Sequence, residues 1–234
     1  MIHKLDKQKK IANLLSKRTA GKYCHTICSL HDLIGDISRI IYTNELDIDV
    51  ILDEFDEIEF LQRGAGVRIE EALALYLFVR SLRPDTLLET GTYKGVSTTY
   101  ISAAMNRNGK GKIVTVDTNS NSGEDIPEHL CDKVSFYRGI SSIASYKELR
   151  QNEAPFDIFF HDSLHSYENV LCELFMFAQL LTDNGIIICH DAKMDHVNKY
   201  GVGQACREFA QATQAQLCIL DTTTGMAVIK IPKK

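Results

Sequence analysis

Tryptophan is absent from this chain of 234 residues, and only four prolines interrupt it. With so little proline and no low-complexity stretch or internal repeat, extended linkers and repeat arrays are excluded. Cys-x-x-Cys pairs are missing as well. The seven cysteines form no dense framework, so reduced thiols in a cytoplasmic protein are expected. No apolar run approaches the length of a membrane span, and the charged start lacks the apolar core of a leader, so no membrane partner is expected. Positive charge is also short: Lys plus Arg is 26 against 31 for Asp plus Glu, a net −5. Without a basic field, a nucleic-acid partner is not expected.

What is present is a long alternation of apolar strand-like runs and amphipathic helices from Val67 onward. Strands are expected at Leu87–Glu89, Lys112–Asp117, Val134–Tyr137, Phe156–Asp162, Ile186–Cys189, Leu217–Leu220 and Met226–Ile231. Helices are expected over Arg68–Leu82, Ser97–Met105, Tyr167–Leu181 and Gly203–Ala212. The predicted fold is α/β: a Rossmann-like, mostly parallel seven-stranded sheet with helices on both faces. Thr222-Thr223-Thr224-Gly225 suggests that the last two strands form an antiparallel hairpin, the one antiparallel pair in the sheet. Gly64-Ala65-Gly66 marks the boundary with a helical cap over residues 1–66.

The cap has a basic start, Met1–Arg18, and an acidic stretch, Asp47–Glu59, whose Val50, Ile51, Phe55, Ile58 and Leu61 form an apolar face. Opposite charges could join the two within a subunit or across a homodimer; two solvated helix faces are the plainer reading. Cys24, Cys28 and His31 would share a helical face, but structural zinc sites need a second ligand pair, which the chain lacks.

The chemistry begins at Leu87-Leu88-Glu89-Thr90-Gly91-Thr92-Tyr93-Lys94-Gly95-Val96-Ser97. Glu-x-Gly-x-x-x-Gly between a strand and a helix permits close backbone approach to a ligand at Gly91 and Gly95. It is not the Gly-x-Gly-x-x-Gly of dinucleotide enzymes, which weakens the rival reading of a nicotinamide-dependent oxidoreductase. An acid at the strand end favours a ligand with an ammonium group or hydroxyls, both of which S-adenosylmethionine (SAM) carries. Asp117 ends the next strand, where a carboxylate binds both hydroxyls of a ribose.

On these motifs the chain resembles class I SAM-dependent methyltransferases, above all the catechol-type and antibiotic-tailoring O-methyltransferases. The resemblance implies that Glu89, Gly91, Gly95 and Ser97 hold the methionine part of SAM, with Tyr93 lining that pocket. Asp117 would take the ribose, and Ser141 and Ser142 would lie near the adenine, unless they serve only as a helix cap. A substitution at Gly91 is expected to block the cofactor and spare the fold. In Asp162-Ser163-Leu164-His165-Ser166-Tyr167, the resemblance makes Asp162 a ligand of Mg2+ or another divalent metal and sets His165 in the position of the base. Leu164 stands where the antibiotic-tailoring relatives have a second Asp.

Asp191 would complete the metal site. His190 is a poor magnesium ligand that would favour manganese, iron or zinc if it coordinates; it could equally be an acid/base group or a core residue. His161 alternates away from Asp162 and is expected in the sheet packing. The expected partner is a small-molecule acceptor with a hydroxyl. A non-catalytic SAM-binding protein is the reading that Leu164 and His190 keep open.

Overall fold

A computed structural model describes residues 48–58, 66–197 and 199–232. The basic start of the chain and the Cys24, Cys28 and His31 group lie outside the described residues.

Seven strands form one sheet: β1 (Thr86–Thr90), β2 (Lys112–Asp117), β3 (Val134–Arg138), β4 (Phe156–His161), β5 (Leu181–Cys189), β6 (Gln216–Leu220) and β7 (Met226–Lys230). Their spatial order is β3-β2-β1-β4-β5-β7-β6. The first five are parallel, and β7 runs antiparallel to both β5 and β6. The expected hairpin is therefore there, but it contributes two antiparallel pairings rather than one, because β7 inserts between β6 and β5. Asp183-Asn184-Gly185, a run with the composition of a turn, falls inside β5, where the pairing steps from Phe156↔Leu181 to Ile158↔Ile186. The extra residues bulge out, and Thr182 donates to Asp157 Oδ1 at 3.0 Å.

The sheet is covered on both faces, which is why its strands read as unbroken apolar runs. Leu87, Ile113, Ile158, Phe160, Ile186, Ile188 and Val228 face a core completed by α1 (Ile48–Asp56), α2 (Ile69–Leu82) and α3 (Val96–Asn108). Their neighbours in sequence, Leu88, Val114, Phe159, Ile187 and Ile229, face a second core. That one is closed by α4 (Ser142–Asn152), α5 (Tyr167–Phe177) and α6 (Val202–Thr213).

Helix α2 is buried at every position from Ile69 to Val79, Glu70 and Glu71 included. The Glu71 carboxylate accepts from the Arg68 amide at 2.8 Å, which fixes the start of the helix. Its end is set by Arg83, whose left-handed φ of 48° turns the chain while its amide returns to the Val79 carbonyl.

Helix α1 shares the core of α2 and α3. Ile51, Leu52 and Phe55 are buried, and the Phe55 ring lies 5.1 Å from Tyr100 and 5.6 Å from Tyr76. Val50, assigned to the apolar face from its spacing, points outward instead. Glu54 pairs with Arg80 of α2 at 2.7 Å. If α1 is integral to this core, Phe55→Ala should cost about 3–5 kcal/mol in denaturant unfolding. A loss under 1 kcal/mol would show that α1 merely rests on the surface.

Candidate active site

The carboxyl ends of β1, β2, β4 and β5 converge where the strand order reverses between β1 and β4, the usual location of ligands in open α/β sheets. Two cavities open there and share Gly91, Tyr93 and Asp162. One, of about 320 Å3, is lined by Asp117, Ser141, Ser142, Ser163, Leu164 and Asn169. The other, of about 450 Å3, is lined by Arg68, Ser97, His165, His190, Asp191 and Tyr200 among others.

The turn after β1 is held from several sides. The Gly91 amide donates to Val116 at 2.9 Å, and the Tyr93 amide donates to Asp117 Oδ2 at 2.7 Å. Asp117 Oδ1 accepts from the Asn119 amide at 2.7 Å. The carboxylate is thus oriented by two backbone donors and stays partly exposed at the cavity wall. Ser141 caps α4, its hydroxyl accepting from the Ala144 amide at 3.2 Å, and it still lines the smaller cavity.

Glu89 is placed differently from a direct ligand contact. It is fully buried beneath the turn and accepts from the Ser97, Thr98 and Thr115 hydroxyls, each at 2.6 Å. Burial pushes its carboxyl up to about 7, against the pull of those three donors and with the nearby Asp162 charge adding to the rise. Two chains of hydroxyls link it to the larger cavity, Ser97 directly and Thr115 through Thr92 at 2.6 Å.

The glycines also serve the protein itself. A Cβ at Gly91 would sit 2.1 Å from the Asp162 carbonyl oxygen, and one at Gly95 would sit 2.2 Å from Ile126. Both residues have φ near +90°. The bare backbone at Gly91 thus lets the β4 exit lie against the β1 turn, and the expectation that its substitution spares the fold is corrected.

Four donors meet on the floor of the larger cavity: Asp162, His165, His190 and Asp191, with one ligand atom from each within 4.8 Å of the others. His165 Nε2 lies 3.3 Å from Asp162 Oδ1 and 3.4 Å from Asp191 Oδ2, and its ring stacks on Tyr200 at 4.8 Å. His190 Nδ1 lies 3.1 Å from Asp162 Oδ1 and 3.4 Å from Asp191 Oδ1, yet no hydrogen bond is aligned on it. Burial raises the Asp162 carboxyl, but His190 and His165 outweigh it and hold that group at about 2. Burial likewise disfavours charge on His190, and Asp162, Asp191 and Glu71 overcome it, so its pKa stands well above the ordinary value. Asp191 adopts a left-handed φ of 61° as the chain leaves β5, a conformation Asp tolerates better than most residues. This donor set fits a divalent cation: two carboxylates, two imidazoles, and a buried nitrogen without an aligned partner.

Two acids behind the floor escaped the sequence reading. Glu71 Oε2 meets His190 Nε2 at 2.8 Å, while its Oε1 accepts from Thr222, Thr224 and the Thr224 amide. Glu173 of α5 is fully buried and binds Thr90, Ser142, His161, Ser163 and Asn169. His161 is indeed in the sheet packing, as its alternation requires, with Nδ1 2.8 Å from Glu173. Glu173 had a legible signal, an acid among Val170, Leu174 and Phe177 on the inward face of an apolar helix. Glu71 had none beyond its place in the first turn of α2.

Residues 88–192 match the family described as "Methyltransferase domain". No curated protein sequence matches the chain. Among solved structures, an O-methyltransferase from Bacillus cereus in complex with S-adenosylhomocysteine is 18% identical, with a TM-score of 0.59 over 84% of this chain and 96% of that one. TomG from Streptomyces achromogenes, an O-methyltransferase of tomaymycin synthesis solved with SAM, is 18% identical, with a TM-score of 0.58 over 84% of this chain and 89% of that one. A putative caffeoyl-CoA O-methyltransferase from Staphylococcus aureus is 15% identical, with a TM-score of 0.61 over 86% of this chain and 98% of that one. Residues 88–192 thus match a methyltransferase domain, and the chain has the class I methyltransferase fold.

Two outcomes follow from the geometry. Gly91→Val should lower thermal stability, since backbone strain alone costs about 1–3 kcal/mol before the clash with Asp162 is counted; an unchanged melting temperature would refute the close-approach role. Glu173 provides a pH test. Burial raises its carboxyl, but the His161 charge and its hydrogen-bond donors prevail and hold it at about 2 against an ordinary 4.5. A depressed pKa stabilises the fold above 4.5, and that contribution is lost as pH falls toward 2. In urea unfolding, Glu173→Gln should therefore lose stability less steeply over that window than the parent protein.

Proposed function

We propose that the protein is a SAM-dependent methyltransferase that transfers a methyl group to a hydroxyl of a small molecule, assisted by a divalent metal. One observation carries the reading. A cavity with an oriented strand-end carboxylate, Asp117, adjoins a second cavity with four acid/base and ligand side chains, and the two meet at Gly91, Tyr93 and Asp162. A nucleoside in the first cavity extends its sulfonium toward the second. The relatives solved with SAM or S-adenosylhomocysteine support this assignment of the cofactor.

In this mechanism Asp117 binds the ribose hydroxyls with the lone pairs its two backbone donors leave free. Tyr93, half exposed at the shared wall, and Ser97 flank the methionine end. The acceptor enters the larger cavity beside Tyr200 and Met194. Asp162, Asp191 and His190 would hold the metal, which when bound supplies Lewis-acid stabilisation of an oxyanion. His165, kept in place by Tyr200 and the two aspartates, accepts the hydroxyl proton as the oxygen attacks the methyl carbon in line and the methyl–sulfur bond breaks, its electron pair staying on sulfur to leave neutral S-adenosylhomocysteine. Alignment of oxygen and methyl supplies much of the remaining acceleration.

The test combines binding and turnover. Asp117→Ala should weaken SAM binding in calorimetry by about 1–3 kcal/mol, and unchanged affinity in folded protein would remove Asp117 from the site. With a panel of hydroxylated acceptors, His165→Ala should lose about 10²–10⁴ in rate while still binding SAM. Binding of a nicotinamide cofactor in place of SAM would overturn the reading.

A further inference from the structure

The contacts of Glu71 bear on which metal the site takes. Its Oε2 accepts from the Arg68 amide at 2.8 Å and meets His190 Nε2 at 2.8 Å. Its Oε1 receives the Thr222 and Thr224 hydroxyls at 3.0 and 2.7 Å and the Thr224 amide at 3.1 Å. A carboxylate bound by so many donors is an acceptor only, so the proton between it and His190 belongs to Nε2. The opposite ring nitrogen, Nδ1, is then the one turned to the donor cluster. It lies 3.1 Å from Asp162 and 3.4 Å from Asp191 without an aligned hydrogen bond, in a side chain only 5% exposed. Carboxylate–histidine–metal triads have this arrangement: the outer acid fixes the tautomer and raises the basicity of the ligating nitrogen.

We infer that His190 is a ligand through Nδ1, that Glu71 is the positioning residue that makes it one, and that the centre takes an imidazole-accepting first-row ion such as Mn2+, Fe2+ or Zn2+ in preference to Mg2+. The inference rests on the methyltransferase reading and refines its metal. Magnesium demands hard oxygen donors, and a site built for it has no use for an imidazole held by an outer carboxylate. Asp162 and Asp191 supply the oxygens, and His165, on the open side of the cavity beside Tyr200, remains the base.

The experiment uses full-length protein stripped with a chelator and reloaded with Mn2+, Zn2+ or Mg2+. Pulsed EPR of the Mn2+ form should show one directly bound imidazole nitrogen, lost in His190→Asn and retained in His165→Ala. Absolute affinities are less telling, because first-row ions bind tightly to many nitrogen-bearing sites. The sharper readout is the Mn2+/Mg2+ affinity ratio from calorimetry, which should fall about tenfold or more in His190→Asn as the ligands become all oxygen.

Glu71→Leu should weaken Mn2+ binding by about 10–100-fold, and Glu71→Gln, which keeps an acceptor for Nε2–H, should recover most of it. Should Glu71→Leu fail to fold, the glutamine and asparagine variants still decide. No nitrogen coupling, a nitrogen signal that survives His190→Asn, an unchanged ratio, or no metal binding by the folded protein would each overturn the inference. SAM titration of the same samples separates the two levels. Normal SAM binding with any of those outcomes sinks only the metal assignment, whereas absent SAM binding sinks the methyltransferase reading beneath it.

Discussion

The site depends on one close approach. The Asp162 amide donates to the Thr90 carbonyl at 2.9 Å, and the missing side chain of Gly91 leaves the Asp162 backbone room beside the β1 turn. This contact sets the exits of β1 and β4 side by side at the point where the sheet reverses its strand order. Both cavities take their shared wall from it. With any larger residue at 91, the chain leaving β4 would be displaced, and Asp162 with it.

Around that contact the protein buries three carboxylates completely, and among the described residues no lysine or arginine pairs with them. Glu89 is met by three hydroxyls, Glu173 by hydroxyls and His161, and Glu71 by threonines, a backbone amide and His190. Buried acids in an apolar fold are costly unless their acceptor capacity is filled, and here it is filled almost wholly by short side chains at strand and helix ends. Each acid thereby ties together elements far apart in sequence. Glu173 joins β1, α4, the loop after β4 and α5; Glu71 joins α2, the end of β5 and the β6–β7 turn. Glu71 and Glu173 keep depressed pKa values because a histidine and several donors outweigh burial, whereas Glu89, without a histidine and near Asp162, goes the other way.

Much of this was legible in the sequence because parallel strands buried on both faces are unbroken apolar runs, and their ends were marked by polar residues. Glu89, Asp117, Asp162 and Asp191 could be assigned to one edge of the sheet for that reason alone. The bulge in β5 was not legible, since Asp183-Asn184-Gly185 has the composition of a turn and only the pairing with β4 shows it held within a strand. Glu71 was hidden for a different reason. In the first turn of a helix an acid has a sufficient local explanation, and its long-range partners lie some 151 residues away. Gly91 was read as room for a ligand, and it does line both cavities, but a side chain there would first strike the protein's own backbone at Asp162, which spacing does not disclose.

The reversed strand β7 has a consequence for how the molecule is made. Running against its neighbours, it begins beside the carboxyl ends of the parallel strands, so the Thr222–Thr224 turn lands against Glu71, and the Ala192 and Lys193 amides donate to Gly225 and Thr224. On the ribosome, α2 and the first five strands emerge long before that turn does. Until it arrives, Glu71 is a buried acid lacking its three threonine contacts, and the loop after Asp191 has no backbone to rest on. Completion of this edge of the sheet therefore waits on the β6–β7 pair, which follows all five parallel strands in chain order. A nascent chain that has finished its parallel strands has formed the scaffold of the sheet without yet having closed the cluster around Glu71 and His190.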